Sequence, residues 1–169
     1  MDALSRLNAA SDEEARDALR RCCGASRWVA AMAERRPFRD AESLYAAADE
    51  VWKGLGPADW REAFAHHPRI GDRGALRSRS ASTRQWAKGE QAGVDAASED
   101  VLEALARGNR DYEARFGHIF VVCATGKSAP EMLSLLRERL RNEPEREARI
   151  AAGEQAKITR LRLEKLLQP

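Results

Sequence analysis

No stretch of this sequence stays apolar for the ~18 residues that a membrane-spanning helix needs, so no transmembrane segment is expected. Cysteine is scarce: Cys22, Cys23 and Cys123 are the whole set. The odd count leaves at least one thiol unpaired within the chain. With no Cys-x-x-Cys and no His/Cys cluster, neither a disulfide framework nor a metal site is expected, and the thiols read as reduced and partly buried in a cytosolic protein. A strong charge of one sign is missing too. Lys and Arg number 29 against 27 Asp and Glu, a net of +2, which argues against nucleic acid as an obligate partner. The first residues, Met1-Asp2-Ala3-Leu4-Ser5, lack a basic region followed by an apolar core, so no signal peptide and a cytoplasmic location are expected. Gly126-Lys127-Ser128 ends like a phosphate-binding loop, but Val121 stands where that loop requires glycine. There is no Gly-x-Ser-x-Gly and no His-Glu-x-x-His.

What remains is rich in Ala, Leu, Arg and Glu, residues that favour helix. The 169 residues suit one domain, 1–169, large enough for a sizeable core. Ser11 followed by Glu14 is a capping box, and Ala15, Leu19, Cys22 and Cys23 then share a helical face that Gly24 ends. Further helices are expected over Ser26 to Arg35, over Asp40 to Lys53, and from Pro57 through Phe64. Between Asp72 and Gly93 the pattern reads as a loop and then a helix holding Trp86 and Glu90. Ser98 caps a helix to Phe116, closed by Gly117. Ser128, with Pro130 in the first turn, starts another that ends at Asn142. A long amphipathic helix follows from Glu143 to about Leu167, with Ile150, Ile158, Leu161 and Leu166 as its stripe. The expected fold is all-α, a compact bundle of about eight helices.

One short segment breaks that pattern. His118 to Ala124 is β-branched and aromatic, and no second convincing strand exists to pair with it. Its backbone groups need partners. Either the segment offers its amides to a ligand, or side chains and water satisfy it.

Three features suggest chemistry. A histidine can give or take a proton near neutral pH, and Pro68 holds His67 extended at a helix end, where it serves either as acid/base or as an ordinary surface or capping residue. Glu90-Gln91 offers a carboxylate that can orient an imidazole and an amide that can read both edges of a polar ring, or else a solvated helix face. Arg69, Arg73, Arg77, Arg79, Arg84 and Lys88 form a basic stretch suited to an anionic substrate or an acidic partner. Only Trp86 interleaves as an aromatic, which weighs against single-stranded nucleic acid.

Taken together, His67-Pro68-Arg69-Ile70-Gly71-Asp72, Glu90-Gln91-Ala92-Gly93, Asn109 with Tyr112 and Phe116-Gly117, Phe120-Val121-Val122-Cys123, and Gly126-Lys127-Ser128-Ala129 resemble the OHCU (2-oxo-4-hydroxy-4-carboxy-5-ureidoimidazoline) decarboxylase family in order and spacing. So does the ending from Arg139 to Leu163. The resemblance covers nearly the whole chain. It implies an all-α homodimer that converts OHCU to (S)-allantoin and CO2 without metal or organic cofactor. It further implies that His67 and Glu90 are catalytic, and that Pro68, Ala87, Glu90, Gln91, the backbone of Ile119, Phe120, Val121, Val122 and Cys123, and Arg162 bind substrate. Ala87 departs from the pattern, since many members carry serine there. Two other readings stay open: a helical adaptor that holds an acidic partner or RNA on its basic stretch, and a diverged member acting on another ureido-imidazoline.

Overall fold

The computed structural model describes residues 1–70, 86, 90 and 98–169. Among them are eight helices and no strand. They are α1 (Ala3–Ala9), α2 (Asp12–Cys22), α3 (Ser26–Glu34), α4 (Ala41–Lys53), α5 (Pro57–Ala65), α6 (Glu99–Phe116), α7 (Ala129–Arg139) and α8 (Pro144–Leu166). Trp86 and Glu90 are also helical. The all-α expectation holds. The chain divides into two compact units, Met1–His66 with Gln155–Pro169, and His67–Glu154.

Local chemistry starts most of these helices where the sequence places the starts. Ser11 accepts from the Glu14 amide at 3.3 Å, and the Glu14 carboxylate accepts from the Ser11 amide at 2.9 Å. Asp40 and Ser43 form the same reciprocal pair ahead of α4. Ser98 and Ser128 cap α6 and α7. Each satisfies amides that a first helical turn leaves orphaned. Helix α1 is not foreseen by the sequence reading. Asp2 caps it through the Ser5 amide, and Leu7 is its one buried residue.

In the first unit Leu19, Trp28, Met32, Leu44, Phe64 and Leu163 are fully enclosed, in a mainly apolar core. The Trp28 indole N–H reaches the Ala48 carbonyl at 3.2 Å. Gly24 does not close α2; Cys23 does, through its amide on the Leu19 carbonyl. Gly24 instead makes room for a ring. A Cβ there would stand 2.3 Å from His66 Cγ.

The second unit packs α6 against α7. Leu105, Tyr112 and Phe116 of α6 meet Met132, Leu133 and Leu136 of α7 in one cluster, joined by Ile70, Phe120, Val122 and Ala124. Deleting Leu136 to alanine at such a site costs about 2–5 kcal/mol. Gly117 ends α6 at φ 75°, left-handed backbone that glycine adopts without a Cβ penalty.

Helix α8 buries a face different from the expected stripe. Ile158 is buried, but Ile150, Leu161 and Leu166 are half-buried. The buried polar residues Glu147, Gln155, Thr159 and Arg162 share the enclosed face with Ala151, Ala152 and Leu163. Hydrophobic periodicity cannot anticipate polar side chains that become buried because a partner neutralises them.

Candidate functional site

The segment that the sequence singles out as strand-like runs from Ile119 to Ala124 without helix or sheet pairing, and Phe120 through Ala124 are buried. Buried backbone of this kind needs hydrogen-bond partners. Side chains supply them on one set of atoms. His118 Nδ1 lies 2.9 Å from the Ile119 carbonyl, so that nitrogen carries the hydrogen. Arg139 Nη1 donates to the Val121 carbonyl at 2.7 Å, and Lys127 Nζ to the Cys123 carbonyl at 2.7 Å. The Cys123 amide donates to Glu154 at 3.3 Å. Among the described residues, no acceptor pairs with the amides of Ile119, Phe120, Val121 or Val122. Of the two solutions left open by the sequence, the carbonyls at 119, 121 and 123 take side chains, and a run of amides remains as potential donors.

A buried ion pair anchors this arrangement. Glu147 is wholly enclosed, and Arg139 is 6% exposed. Arg139 Nε donates to Glu147 Oε1 at 2.7 Å. Arg139 Nη2 lies 2.6 Å from the same oxygen but is not aligned for a hydrogen bond. Enclosing two charges carries a heavy desolvation cost that Coulomb attraction alone seldom offsets. Here further hydrogen bonds complete the carboxylate: the Tyr112 hydroxyl donates at 2.5 Å and Asn142 Nδ2 at 2.9 Å. Burial, reinforced by that bond to Glu147, pushes the Tyr112 phenol well above its ordinary range. The Arg139 guanidinium also covers the Phe120 ring, 4.5 Å from its centroid, and Tyr112 meets Phe120 edge-on at 5.3 Å. The side chain and the carbonyl of neighbouring residues are thus held by the same cation.

The segment bearing His67 is fixed to the same core. His67 is half-buried, Pro68 is buried, and Ile70 sits in the cluster that holds Phe120 and Val122. Asn109 Nδ2 donates to the Ile70 carbonyl at 3.2 Å. Arg69 makes a two-armed pair with Glu113 at 2.8–3.1 Å. That pair removes one cation from the basic stretch read in the sequence.

Glu90 is half-buried, and its charge is felt by the Cys123 thiol. Burial is the main force raising that thiol, and the carboxylates of Glu154 and Glu90 add to it against Lys127. The carboxylate expected to be catalytic therefore lies within electrostatic reach of the Cys123 thiol. All three cysteines are free and buried.

Arg162 belongs to the first unit, where it is 4% exposed and donates to the Arg21 carbonyl at 3.3 Å. Ala87, Gln91 and most of the basic stretch lie outside the described residues. Sequence reasoning assigned no part to Glu147 or Glu154. The one signal for Glu147 was a carboxylate placed a helical turn from Ala151 on the face that proves buried.

A family model described as OHCU decarboxylase matches residues 8–164. The chain is 38% identical over 145 residues to the uric acid degradation bifunctional protein TTL of Arabidopsis thaliana. That match takes in 86% of this chain but 45% of the plant protein, so the chain spans less than half of that relative. It is 35% identical over 146 residues to 2-oxo-4-hydroxy-4-carboxy-5-ureidoimidazoline decarboxylase of Amia calva, covering 83% of this chain and 79% of that protein. Among solved structures, that of an OHCU decarboxylase in the presence of (S)-allantoin superposes with a TM-score of 0.76 at 34% identity. The match covers 94% of this chain and 99% of the other.

Proposed function

The chain belongs to the OHCU decarboxylase family, and on that premise we propose that it converts OHCU to (S)-allantoin and CO2 in the breakdown of urate. The observation that carries the reading, within the family match, is the 119–123 segment, buried from Phe120 onward. Among the described residues it leaves successive amides without acceptors, and the Glu90 carboxylate acts on the Cys123 thiol at its end. A polar, anionic ring offers acceptors for such amides.

The chemistry asks little of the protein. Loss of CO2 from the hydroxyl-bearing ring carbon releases an electron pair into the bond to the neighbouring carbon. The C=N nitrogen at that neighbour accepts the displaced charge and a proton. The resulting enol then ketonises: its hydroxyl gives up a proton, and the ureido-bearing carbon gains one. The substrate carries its own electron sink, a service that many decarboxylases draw from a cofactor. The protein's tasks are to orient the carboxylate, move protons, and deliver the last one to one face.

In this reading His67 manages the proton and Glu90 orients the imidazole and favours its charged form. Pro68, Ala87, Gln91 and the 119–123 backbone hold the ring and ureido group. The chain acts as one functional domain and pairs as a homodimer, which sedimentation checks. No described helix is long and apolar enough to cross a membrane.

Circular dichroism of fresh OHCU tests the activity. Spontaneous decay gives racemic allantoin, so the protein is expected to generate a lasting (S) signal. A racemic product at unchanged rate sinks the reading. It would favour the adaptor alternative, which predicts salt-sensitive binding of an acidic partner. Glu90→Ala is expected to lower turnover strongly, and an unchanged pH–rate profile would mean that the carboxylate does not tune His67.

A further inference from the structure

A trans peptide is planar, and its C=O and N–H point in opposite directions. Among the described residues, the one cis bond is Arg36–Pro37, so the peptides of the 119–124 segment are all trans. Clamping a carbonyl therefore aims the next amide away from the clamp. The Ile119 carbonyl is held by His118 and the Val121 carbonyl by Arg139. The amides of Phe120 and Val122 must then point away from those partners. The Cys123 amide is held by Glu154, which turns the Val122 carbonyl away from that carboxylate in the same manner. The amides of Phe120 and Val122 are among those with no acceptor in the described residues.

In an ordinary sheet a neighbouring strand would fix these planes through ladder hydrogen bonds. Here no strand is present among the described residues, and a cation does the work. We infer that Arg139 is a positioning residue for the decarboxylation: locked by Glu147, it sets the Val121–Val122 peptide plane and so aims the Val122 amide at the substrate. Three features separate this from generic packing. The guanidinium donates to the carboxylate through Nε and spans to the carbonyl with a different nitrogen, Nη1. The carboxylate is in turn fixed by Tyr112 and Asn142, so the arm has no freedom to swing. The same guanidinium lies over the Phe120 ring and so restrains the segment at two successive residues.

The inference rests on the decarboxylase reading for its assay. Removing Arg139 alone would strand Glu147 in the core, so the decisive variant replaces both, Arg139→Met with Glu147→Leu, a swap that buried ion pairs commonly tolerate. Initial rates with OHCU and the chirality of the allantoin are measured beside the unmodified protein. An amide that holds substrate and transition state alike contributes to KM more than to kcat, so KM is expected to rise about tenfold with kcat changed by less than about threefold. The (S) excess is expected to fall because the ring is no longer held to one face. A merely structural role would lower kcat through loss of active protein and leave KM and chirality alone; that result overturns the inference. Arg139→Lys is the second variant, keeping the charge beside Glu147 but replacing the two-armed fork with one nitrogen. It is expected to show a smaller KM rise in the same direction, and a KM equal to that of the unmodified protein would overturn the proposal even if the double variant did not fold. Racemic product from the unmodified protein sinks the decarboxylase reading. Stereospecific product there, with an unaltered KM in the folded variants, sinks the clamp alone.

Discussion

The two units of this chain solve the same problem, enclosing backbone and polar groups, in different ways. In the first, helices satisfy their own backbone, and buried polar side chains tidy the ends. Asp59 accepts from the Gly56 amide at 3.1 Å and from Arg27 at 3.0 Å, ahead of and beside α5. In the second, a non-helical segment passes through the core, and charged side chains serve it: the buried Arg139 on the Val121 carbonyl, the half-buried Glu154 on the Cys123 amide. A helix has no spare amides in its interior. A lone extended segment does, and that makes it the place where a ligand can be read. In the second unit this arrangement encloses the Arg139–Glu147 pair at a cost in desolvation.

By this contrast, changes in the second unit should damage turnover or strand a charge, while changes in the first, Arg162 aside, should damage stability alone. The largest expected effect is His67→Asn, a loss of turnover of about 10²–10⁴-fold with the melting transition unmoved. A variant that keeps stereospecific turnover would remove His67 from the reaction. Next comes Arg139→Ala, expected to cost about 3–5 kcal/mol in urea denaturation because Glu147 is left enclosed without its cation.

The first unit gives the third test, through pH. Burial raises the Cys23 thiol to about 11. An unfolded chain releases that proton at a lower pH, so the stability held below the unfolded value declines as pH rises and is lost by about 11. Cys23→Ala should flatten that alkaline decline by about 2–3 kcal/mol, the equivalent of a shift of about two units. Cys123 and Tyr112 are raised as well and act with the same sign, so part of the decline should persist. Fourth, Gly24→Ala should cost about 1–3 kcal/mol, since the new methyl meets the root of the His66 ring, which cannot swing aside. The smallest effect is Arg16→Ala, which breaks a surface pair with Asp12 and should change stability by less than about 1 kcal/mol. Equal losses for Arg16→Ala and Arg139→Ala would erase the contrast between exposed and enclosed pairs.

Much of the fold was legible because helix ends are written locally. Ser11, Asp40, Ser98 and Ser128 with Pro130 each mark a start, and Gly117 marks a stop, through contacts within a turn or so of chain. Helix α1 was missed because a short helix with one buried residue shows no period. Gly24 was misread because its role is spatial: it admits a ring from residue 66. The α8 stripe was misplaced because Glu147 reads as solvent-facing until Arg139, Tyr112 and Asn142 meet it. For the site, the residues themselves made His67, Glu90 and the 118–124 run candidates. The family resemblance joined them.

The sequence by itself determined where most of the helices run, that one extended run would lack a sheet partner, and which family's motifs the chain carries. Those properties depend on neighbours along the chain or on residue identity at fixed spacing. The tertiary structure alone decided which atoms of the extended run are occupied and which face outward. That choice depends on Arg139 and Glu154 reaching the run from distant positions in the chain, and on Glu147 holding Arg139 in place. Hydrogen bonds between distant residues leave no period in a sequence, and the direction of a peptide plane is set by whichever partner arrives.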